Sequence, residues 1–292
     1  MILVTGATGT IGRPLVHLLA ASGQPVRALA RHPEAPHAVL ARGVETLQGD
    51  LSRHDTLVAA LRGVTALFVH PRAVGESAAA LLALAAEHGV KKVAVLSAIN
   101  VDEDLAWQPS RANGDRNKEV EDAVTGSGLP WVSVRPCSFA VNTIAMWGAQ
   151  ARSGDVVGGP YAEFADALIH EDDVASVLAR ALLDPSLIGQ TISVTGPQSL
   201  THAQMVATIG EVIGRPLRYE ELPAAVAAEA MVSQGIPSAF VDAMMARYAR
   251  EIGQPAVVTD GVNCVLGRRA HSYAEWVADH AAAFRQSPST AG

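Results

Sequence analysis

The first 135 residues alternate between short apolar runs and longer stretches in which apolar positions recur every three or four residues. Short apolar runs are typical of strands buried on both faces, and the longer period is typical of helices that bury one side. Strands are predicted at residues 2–5, 26–30, 45–48, 66–69, 92–96 and 131–135, and helices at 11–21, 33–41, 55–61, 77–88 and 118–125. This alternation predicts an α/β fold in which a doubly wound parallel sheet carries helices on both faces.

The pattern becomes less regular after residue 135. Helices are predicted at residues 139–151, 173–183, 224–233, 238–252 and 273–284, with one strand at 191–194. Thr201 and Gln204 have the spacing of a capping box, which predicts a further helix that continues to about Ile213. We therefore expect a core over residues 1–135 and a smaller, mainly helical substrate-binding part over residues 136–292, interleaved with that core.

Residues 5–12, Thr-Gly-Ala-Thr-Gly-Thr-Ile-Gly, link the first predicted strand to the first predicted helix. In such a turn the first two glycines keep the backbone tight and leave room for a pyrophosphate, and the third lets the helix pack closely on the strand. The amide groups at the start of the helix then face the phosphates. The turn therefore predicts a Rossmann-type dinucleotide site, against the alternative of a glycine turn that binds nothing. The predicted contacts are Gly6, Thr8, Gly9, Thr10, Ile11 and Gly12.

The end of the second predicted strand distinguishes the two nicotinamide cofactors. NAD enzymes usually place an acidic residue about 20 residues after the glycine turn to bind the ribose hydroxyls. Here the strand is followed by Arg31 and His32, with no acid before Glu34. Arginine attracts a 2′-phosphate, so the sequence favours NADP(H) over NAD(H), with Arg13 as a second candidate for the same phosphate pocket. The alternative is that Arg31 is a solvated surface charge.

Gly49, Asp50 and Leu51 follow the third predicted strand. The carboxylate of Asp50 could accept a hydrogen bond from the amino group of an adenine at this edge of the sheet. From spacing alone, the alternative is that Asp50 or Ser52 caps the next helix.

Composition narrows the class of protein. The chain of 292 residues is 49% hydrophobic, which supports a sizeable core, and its net charge of −7 argues against nucleic acid as a partner. Cys137 and Cys264 are too few for a disulfide framework and lie in no metal-ligand spacing. Neither a signal peptide nor an apolar stretch of roughly 20 residues is present. We expect a cytoplasmic protein with a small-molecule substrate, no metal and no membrane partner, and the sequence leaves a homodimer open.

Motifs along the whole chain add a family resemblance. After the glycine turn and Gly49-Asp50-Leu51 come Ser97-Ala98, Glu121, Ser127-Gly128-Leu129-Pro130-Trp131, Arg135-Pro136, Phe139, Asn142, His170-Glu171-Asp172-Asp173 and Thr195-Gly196-Pro197. In this order and spacing the chain resembles the NmrA-like group of atypical short-chain dehydrogenase/reductases, and within it the NAD(P)H quinone and azo-dye reductases. The further cofactor contacts that this resemblance implies are Asp50, Leu51, Val69, His70, Ser97, Pro136 and Phe139.

One departure from the wider superfamily concerns catalysis. Its ordinary members pair a tyrosine with a lysine four residues later, and those positions hold Asn113 and Asn117 here. Lys118 is one position further, about 100° around a helix of 3.6 residues per turn, so we expect it to point away from the cofactor. The usual general acid is therefore missing, and the proton would come from water or Ser97. Asn113, Asn117, Lys118, Ser97 and His70 are weak catalytic candidates.

Three other groups have both an ordinary and a functional interpretation. Cys137, beside the expected nicotinamide site, is interpreted as a small buried thiol because no activating base has a suitable spacing. His170, Asp172 and Asp173 are interpreted as the start of a helix rather than as a metal site. Apolar residues of the C-terminal helices are interpreted as core, with a flat apolar substrate pocket as the alternative; these are Met231, Phe240, Met244, Met245 and Tyr248.

Together these patterns predict an NADPH-dependent oxidoreductase that transfers hydride to a small, aromatic or quinone-like acceptor. Two alternatives stay open: an NADP(H)-binding redox sensor without turnover, and an enzyme that keeps the fold but catalyses a non-redox step. The role of His70 is also open. It lies at the edge of the sheet where ligands bind, but the Pro71 that follows it also fits an ordinary turn.

Overall fold

The computed structural model describes residues 1–30, 40, 42–51 and 53–286, and in these residues seven strands form one parallel sheet. The strands are β1 (Ile2–Val4), β2 (Val26–Ala30), β3 (Glu45–Gln48), β4 (Ala66–Val69), β5 (Lys92–Leu96), β6 (Trp131–Pro136) and β9 (Thr191–Val194). They lie in the order β3-β2-β1-β4-β5-β6-β9, and each pairs in parallel with its neighbours. The strand order reverses between β1 and β4, so a ligand crevice is expected at the carboxyl ends of these two strands.

Helices cover both faces of the sheet. On one face lie α1 (Gly12–Ala21) and α8 (Glu171–Leu183), and on the other lie α2 (His54–Leu61), α4 (Ala78–Glu87) and α6 (Asn117–Thr125). Alternate strand residues point to opposite faces: Val4 and Phe68 belong to the core beneath α1 and α8, whereas Leu3 and Leu67 belong to the other core. This two-sided burial explains why β1 and β4 are continuously apolar. Two short helices, α3 (Pro71–Val74) and α5 (Pro109–Ala112), lie in the loops after β4 and β5.

The predicted Rossmann-type sheet is confirmed, and the strand bounds agree to within one residue. The helix predicted at 33–41 lies almost wholly outside the described residues. Within the described parts of the chain, no helix combines the length and the apolar character needed to cross a membrane.

The second part of the chain adds two small sheets beside the large one. β7 (Val156–Gly159) pairs in parallel with β11 (Arg218–Glu221), and β8 (Ala165–Asp166) pairs antiparallel with β10 (Leu200–Thr201). The remaining helices are α7 (Ala149–Ser153), α9 (His202–Ile213), α10 (Ala224–Ser233), α11 (Ser238–Glu251), α12 (Gly261–Leu266) and α13 (Tyr273–Asp279). The capping box of Thr201 and Gln204 at the start of α9 is confirmed. β9 and α8, which follow residue 135, belong to the central sheet and to the helix layer on one of its faces.

The helix predicted at 139–151 is wrong in its first half. Phe139 instead forms a parallel bridge with Ile169, and the Ala140 amide donates to the Ile169 carbonyl at 2.9 Å. The backbone of this segment thus has acceptors in a neighbouring segment, which removes the advantage of a helix. A wider π-type turn follows at Ile144–Gly148, before α7. The helix predicted at 273–284 ends earlier, at Asp279, and a 3-10 turn follows at Ala281–Ala283.

A third core joins the second part to the first. Trp276 of α13 is fully buried, stacks on Tyr273 and His280, and packs edge-on against Phe284. Its indole nitrogen donates a hydrogen bond to Glu171 at the start of α8, with a length of 2.9 Å. This contact connects α13 to the helix layer of the main sheet.

Candidate cofactor and acceptor site

The loops after β1 and β4 are held together by the buried hydroxyl of Thr5. This hydroxyl donates to the carbonyl of Phe68 at 3.0 Å and accepts from the amide of His70 at 2.9 Å. Gly6 follows with a left-handed backbone (φ +63°), and a Cβ on Gly6 would lie 3.2 Å from the Cβ of His70. Glycine is therefore the residue that this close approach accommodates. The glycine lets the loops after β1 and β4 lie close together, and it places no side chain in the crevice where the strand order reverses.

The rest of the glycine turn forms a cradle of backbone amides. A side chain on Gly12 would overlap the carbonyl oxygen of Gly6, so only glycine lets α1 pack this closely. The Gly9 amide closes the turn onto the Gly6 oxygen at 3.0 Å. No acceptor among the described residues takes the amide hydrogens of Thr10, Ile11 or Gly12. These amides at the start of α1 are thus available for an anion, and the cradle fits the pyrophosphate of a dinucleotide.

His70 lies beside this cradle with a buried imidazole. Within the described residues its Nδ1 atom has no hydrogen-bond partner. Burial lowers the pKa of His70, the charge of Asp115 opposes that shift, and Arg72 adds to it. Arg72 is itself bound to Asp115 through two contacts of 2.8 Å. His70 is therefore neutral at neutral pH, and its buried Nδ1 atom lacks a partner among the described residues.

The end of β3 reaches the same edge of the sheet. The Gly49 amide donates to the carbonyl of Ala30 at 3.1 Å, which extends the pairing of β2 and β3 by one step. Asp50 is exposed, and Leu51 is partly buried against the core. The N-cap position of α2 is taken by Arg53 rather than by Asp50. The adenine contact of Asp50 stays a prediction.

The residues predicted to bind a 2′-phosphate are only partly described. Arg31, like Ser52, lies outside the described residues. Arg13 lies partly exposed in the first turn of α1, directly after the amide cradle.

At the carboxyl end of β5, Ser97 is buried and engaged. Its hydroxyl donates a short hydrogen bond to the carboxylate of Glu121, which is itself buried on α6. Arg135 of β6 contacts the same carboxylate at 2.7 Å and Asp102 at 2.6 Å. Sequence reasoning named Glu121 and Arg135 as motif residues and missed that they pair. The signal was present, since Glu121 falls on the buried face of α6 next to Val120.

The residues at the usual tyrosine and lysine positions do not converge. Asn113 is exposed at the end of α5, whereas Asn117 is buried and its amide nitrogen lies 3.4 Å from the hydroxyl of Ser110. Lys118 pairs with Asp122 one turn later on the outer side of α6, at 2.5 Å. Its hydrogen bond to Asp122 raises the pKa of Lys118. Lys118 therefore stays charged, with Asp122 on its own helix as its partner.

The segment after β6 is held in an extended form beside the site. The thiol of Cys137 donates to the carbonyl of Ala167 at 2.9 Å. Burial, together with the charge of Asp166, raises the pKa of Cys137, so the thiol stays protonated. This agrees with the interpretation of Cys137 as a structural thiol. Pro136 ends β6, and Phe139 is half-buried through its bridge to Ile169.

α11 covers the carboxyl edge of the sheet from the side of the second part. Tyr248 on α11 is buried in an aromatic cluster, with its ring centroid 4.3 Å from that of Phe164 and 5.0 Å from that of His202. The other apolar residues singled out in these helices are half-exposed: Met231, Phe240, Met244 and Met245. Tyr248 is thus a core residue, and the other four are partly buried on α10 and α11.

The acidic motif at 170–173 starts a helix, as interpreted from the sequence. The Nδ1 atom of His170 accepts from the amide of Asp172 at 3.1 Å, which caps α8. Asp173 is buried and pairs with Arg268 at 2.7 Å and with His271 at 2.9 Å. Among the described residues, no group of histidine, cysteine and acidic side chains has the geometry to hold a metal ion.

Comparison with known proteins places this geometry in a family. A family model described as NAD(P)H-binding matches residues 6–185, which is more than half of the chain and includes the whole cradle. The chain belongs to this NAD(P)H-binding family. The predicted resemblance to NAD(P)H azo-dye and quinone reductases and the predicted NAD(P)H-dependent reductase class are confirmed.

Two relatives match almost end to end. A (4-alkanoyl-5-oxo-2,5-dihydrofuran-3-yl)methyl phosphate reductase of Streptomyces griseus is 37% identical, over 97% of this chain and 99% of the relative. An NAD(P)H azoreductase of Xenophilus azovorans is 36% identical, with the same coverage of 97% and 99%. In fold, the chain is similar to an NADPH-dependent quinone oxidoreductase of Escherichia coli solved with NADPH. That structure has a TM-score of 0.81 and 24% identity, over 96% of this chain and 99% of the other.

Proposed function

We propose that this protein is an NADPH-dependent reductase that passes hydride to a small, planar aromatic or quinone-like acceptor. The observation that carries the proposal is the amide cradle of Thr10, Ile11 and Gly12, which opens beside His70 where the strand order reverses. When bound there, NADPH supplies the hydride. The chain supplies orientation and exclusion of water, through the cradle at one end and α11 at the other.

The choice of NADP(H) over NAD(H) is the finer part of this proposal. It is supported by Arg31, which takes the position where NAD enzymes carry an acid. Arg13, one residue after Gly12, adds a second cation near the same end of the cofactor. Asp50 at the end of β3 is proposed to accept from the adenine.

Two observations support the acceptor class: the missing proton donor at the carboxyl edge of the sheet, and the substrates named for the two relatives. Asn113 and Asn117 replace the tyrosine and lysine of ordinary members, and the Ser97 hydroxyl is engaged by Glu121. An acceptor that takes its proton from water after hydride transfer fits such a site, and a quinone is of this kind. According to their names, one of the two relatives reduces an azo compound and the other a phosphate ester of an unsaturated lactone.

The test is NADPH oxidation by the purified protein with menadione, an azo dye and a simple ketone. We expect turnover with menadione or the azo dye and none with the ketone. In an Arg31→Asp variant we expect the KM for NADPH to rise by about tenfold or more while the KM for NADH changes little. Arg42→Asp is a matched control, because Arg42 is exposed before the amino end of β3, at the opposite edge of the sheet.

A redox sensor is the second candidate, and the exposed Asn113 with the outward-facing Lys118 favours it. Tight NADPH binding without oxidation by any acceptor would select the sensor over the reductase.

A further inference from the structure

Arg247 of α11 is bound on three sides. Its guanidinium lies 3.2 Å from the hydroxyl of Ser138, 3.3 Å from the carboxylate of Asp166 and 3.0 Å from that of Glu251. The plane of the group also lies over the ring of Phe164, with 5.2 Å between Cζ and the ring centroid. One side chain thus joins α11 to the segment after β6 and to β8.

This arrangement is built into the interior rather than laid on the surface. The side chain of Arg247 is only 24% exposed, and that of Asp166 only 9%. Burial alone lowers the pKa of Arg247, but Asp166 and Glu251 reverse the effect and raise it, so the group stays charged. Its single positive charge faces two carboxylates. It therefore has no spare charge to offer to an anionic ligand, and its contacts serve to hold structure.

A second arginine on the same helix, Arg250, shares Glu251 with Arg247 and also contacts the loop after β5. Arg250 lies 3.6 Å from Glu103 and 4.7 Å from the ring centroid of Trp107, both in the loop after β5. α11 therefore spans the loops that follow β5 and β6. Ser138, the contact of Arg247, lies between Cys137 and Phe139 in the segment that the family resemblance places against the nicotinamide.

We propose that Arg247 is a positioning residue: it fixes α11 as one wall of the acceptor cleft and thereby determines which acceptors fit. This inference rests on the proposed reductase function and deepens it. Because the arginine is already neutralised by Asp166 and Glu251, the cleft that it shapes takes uncharged planar acceptors, selected by fit rather than by charge. Among the described residues, the glycine turn makes no hydrogen bond or ion pair with Arg247, so we expect the affinity that the cradle gives NADPH not to depend on this arginine.

The test compares Arg247→Met with Arg247→Lys and Ser138→Ala. For each protein we measure the Kd for NADPH, the thermal midpoint, and steady-state kinetics with menadione and with its anionic counterpart, a naphthoquinone sulfonate. We expect Arg247→Met to raise the KM for both acceptors about tenfold, with the Kd for NADPH unchanged. Arg247→Lys keeps the positive charge but lacks the planar guanidinium with its several donors. We therefore expect its acceptor KM to lie between those of the wild type and Arg247→Met. Arg180→Met, which removes an exposed pair on α8, is the matched control and should leave all constants unchanged.

Arg247→Met leaves the buried Asp166 without its arginine and could prevent folding. Ser138→Ala avoids this problem, because it removes one contact of Arg247 and keeps the pair of Arg247 and Asp166. We expect it to raise the acceptor KM in the same direction by a smaller factor. The inference is overturned if acceptor KM values stay at the wild-type level in a folded Arg247→Met protein. It is also overturned if only the sulfonate loses affinity, because Arg247 would then bind the acceptor itself. The inference also fails if Arg247→Met lowers the acceptor affinity, the NADPH affinity and the thermal midpoint together, because Arg247 would then have only a general structural role.

The two proposals fail in different ways. If the wild-type protein binds NADPH but oxidises it with no acceptor, the reductase function fails and the role of Arg247 falls with it. If the wild-type protein turns over and the Arg247 and Ser138 variants match it, only the positioning role is wrong.

Discussion

The hydroxyl of Ser97 is hydrogen-bonded to the buried carboxylate of Glu121, and this contact ties the carboxyl end of β5 to α6. Arg135 binds the same carboxylate from β6. Ser97, which the sequence suggested as a proton donor, is therefore part of a structural network. Its removal should affect stability more than chemistry.

Replacing Ser97 by alanine should lower the free energy of unfolding by about 1 kcal/mol and leave kcat within a small factor of wild type. Glu121→Gln should cost about 2–3 kcal/mol, because it leaves the half-buried guanidinium of Arg135 with only the exposed Asp102 as a charged partner. Urea unfolding and quinone reduction by the same preparations measure both effects. A large loss of kcat in Ser97→Ala at unchanged stability would instead identify Ser97 as the proton donor.

Two glycines of the cradle should respond differently to alanine. The added methyl group of Gly12→Ala would overlap the Gly6 carbonyl. We therefore expect the free energy of unfolding to fall by about 3 kcal/mol and cofactor binding to be lost. A Cβ on Gly9 would meet only the Gly6 oxygen, at 3.3 Å. Gly9 is exposed where the pyrophosphate is proposed to lie, so Gly9→Ala should weaken NADPH binding with a stability change of about 1 kcal/mol or less.

Calorimetric titration with NADPH and urea unfolding separate these two effects. Gly154→Ala is the control, because Gly154 has an extended backbone and nothing within 4 Å of an added Cβ. Equal loss of NADPH affinity in the Gly9 and Gly154 variants would contradict the cradle.

Stability should fall on mild acidification, partly through His70. Burial lowers its pKa in the folded protein below the ordinary 6.5, so the unfolded chain binds the proton more tightly. The contribution of the neutral His70 to the stability of the folded protein is complete above pH 6.5. It is lost as the pH falls below that value toward the lowered pKa of the folded state. In His70→Asn, the difference between unfolding free energies at about pH 7.5 and 5.5 should therefore shrink.

The control for this pH dependence is His17→Asn, which removes an exposed histidine from α1. His202 is also buried with a lowered pKa and contributes with the same sign in every variant. If His70→Asn left the pH dependence intact, the buried neutral state of His70 would be wrong.

The two cysteines should differ in reactivity. Cys264 is exposed, whereas Cys137 is partly buried and its thiol is bonded to the Ala167 carbonyl. Burial raises the pKa of Cys137, and a protonated thiol is a poor nucleophile. Iodoacetamide at neutral pH should label only Cys264 in the native protein and both cysteines in urea, as counted by mass spectrometry. Cys137→Ala should keep its activity, and inactivation by labelling of a Cys264→Ala protein would oppose this assignment.

The predictable part of the fold is the part with a long, regular pattern. β1, β4 and β5 were found because each is a largely apolar run followed by turn residues, and the cradle because Gly6, Gly9 and Gly12 stand between a strand and a helix. Strands such as β8, with two residues, are too short to carry any period. The helix predicted from residue 139 failed because Phe139 pairs with Ile169, and a partner 30 positions away leaves no local trace in the sequence.

The site divides in the same way. The glycine turn, and the asparagines Asn113 and Asn117 at the positions predicted for the tyrosine and lysine, are local features of the sequence. The pairs Ser97–Glu121 and Ser138–Arg247 join segments 24 and 109 residues apart, and they depend on which face of a helix meets which loop. Arginines such as Arg247 look like ordinary surface charges until the fold brings two carboxylates to them.

The hydrogen bond from Trp276 to Glu171 has a consequence for biosynthesis. The indole that fills the third core lies 105 residues after its acceptor. During translation, β1 to β6 and the glycine turn emerge early and can assemble in order, but the start of α8 stays without its buried partner until α13 has left the ribosome. The nascent chain can therefore complete its dinucleotide-binding half while the half that receives the acceptor is still open.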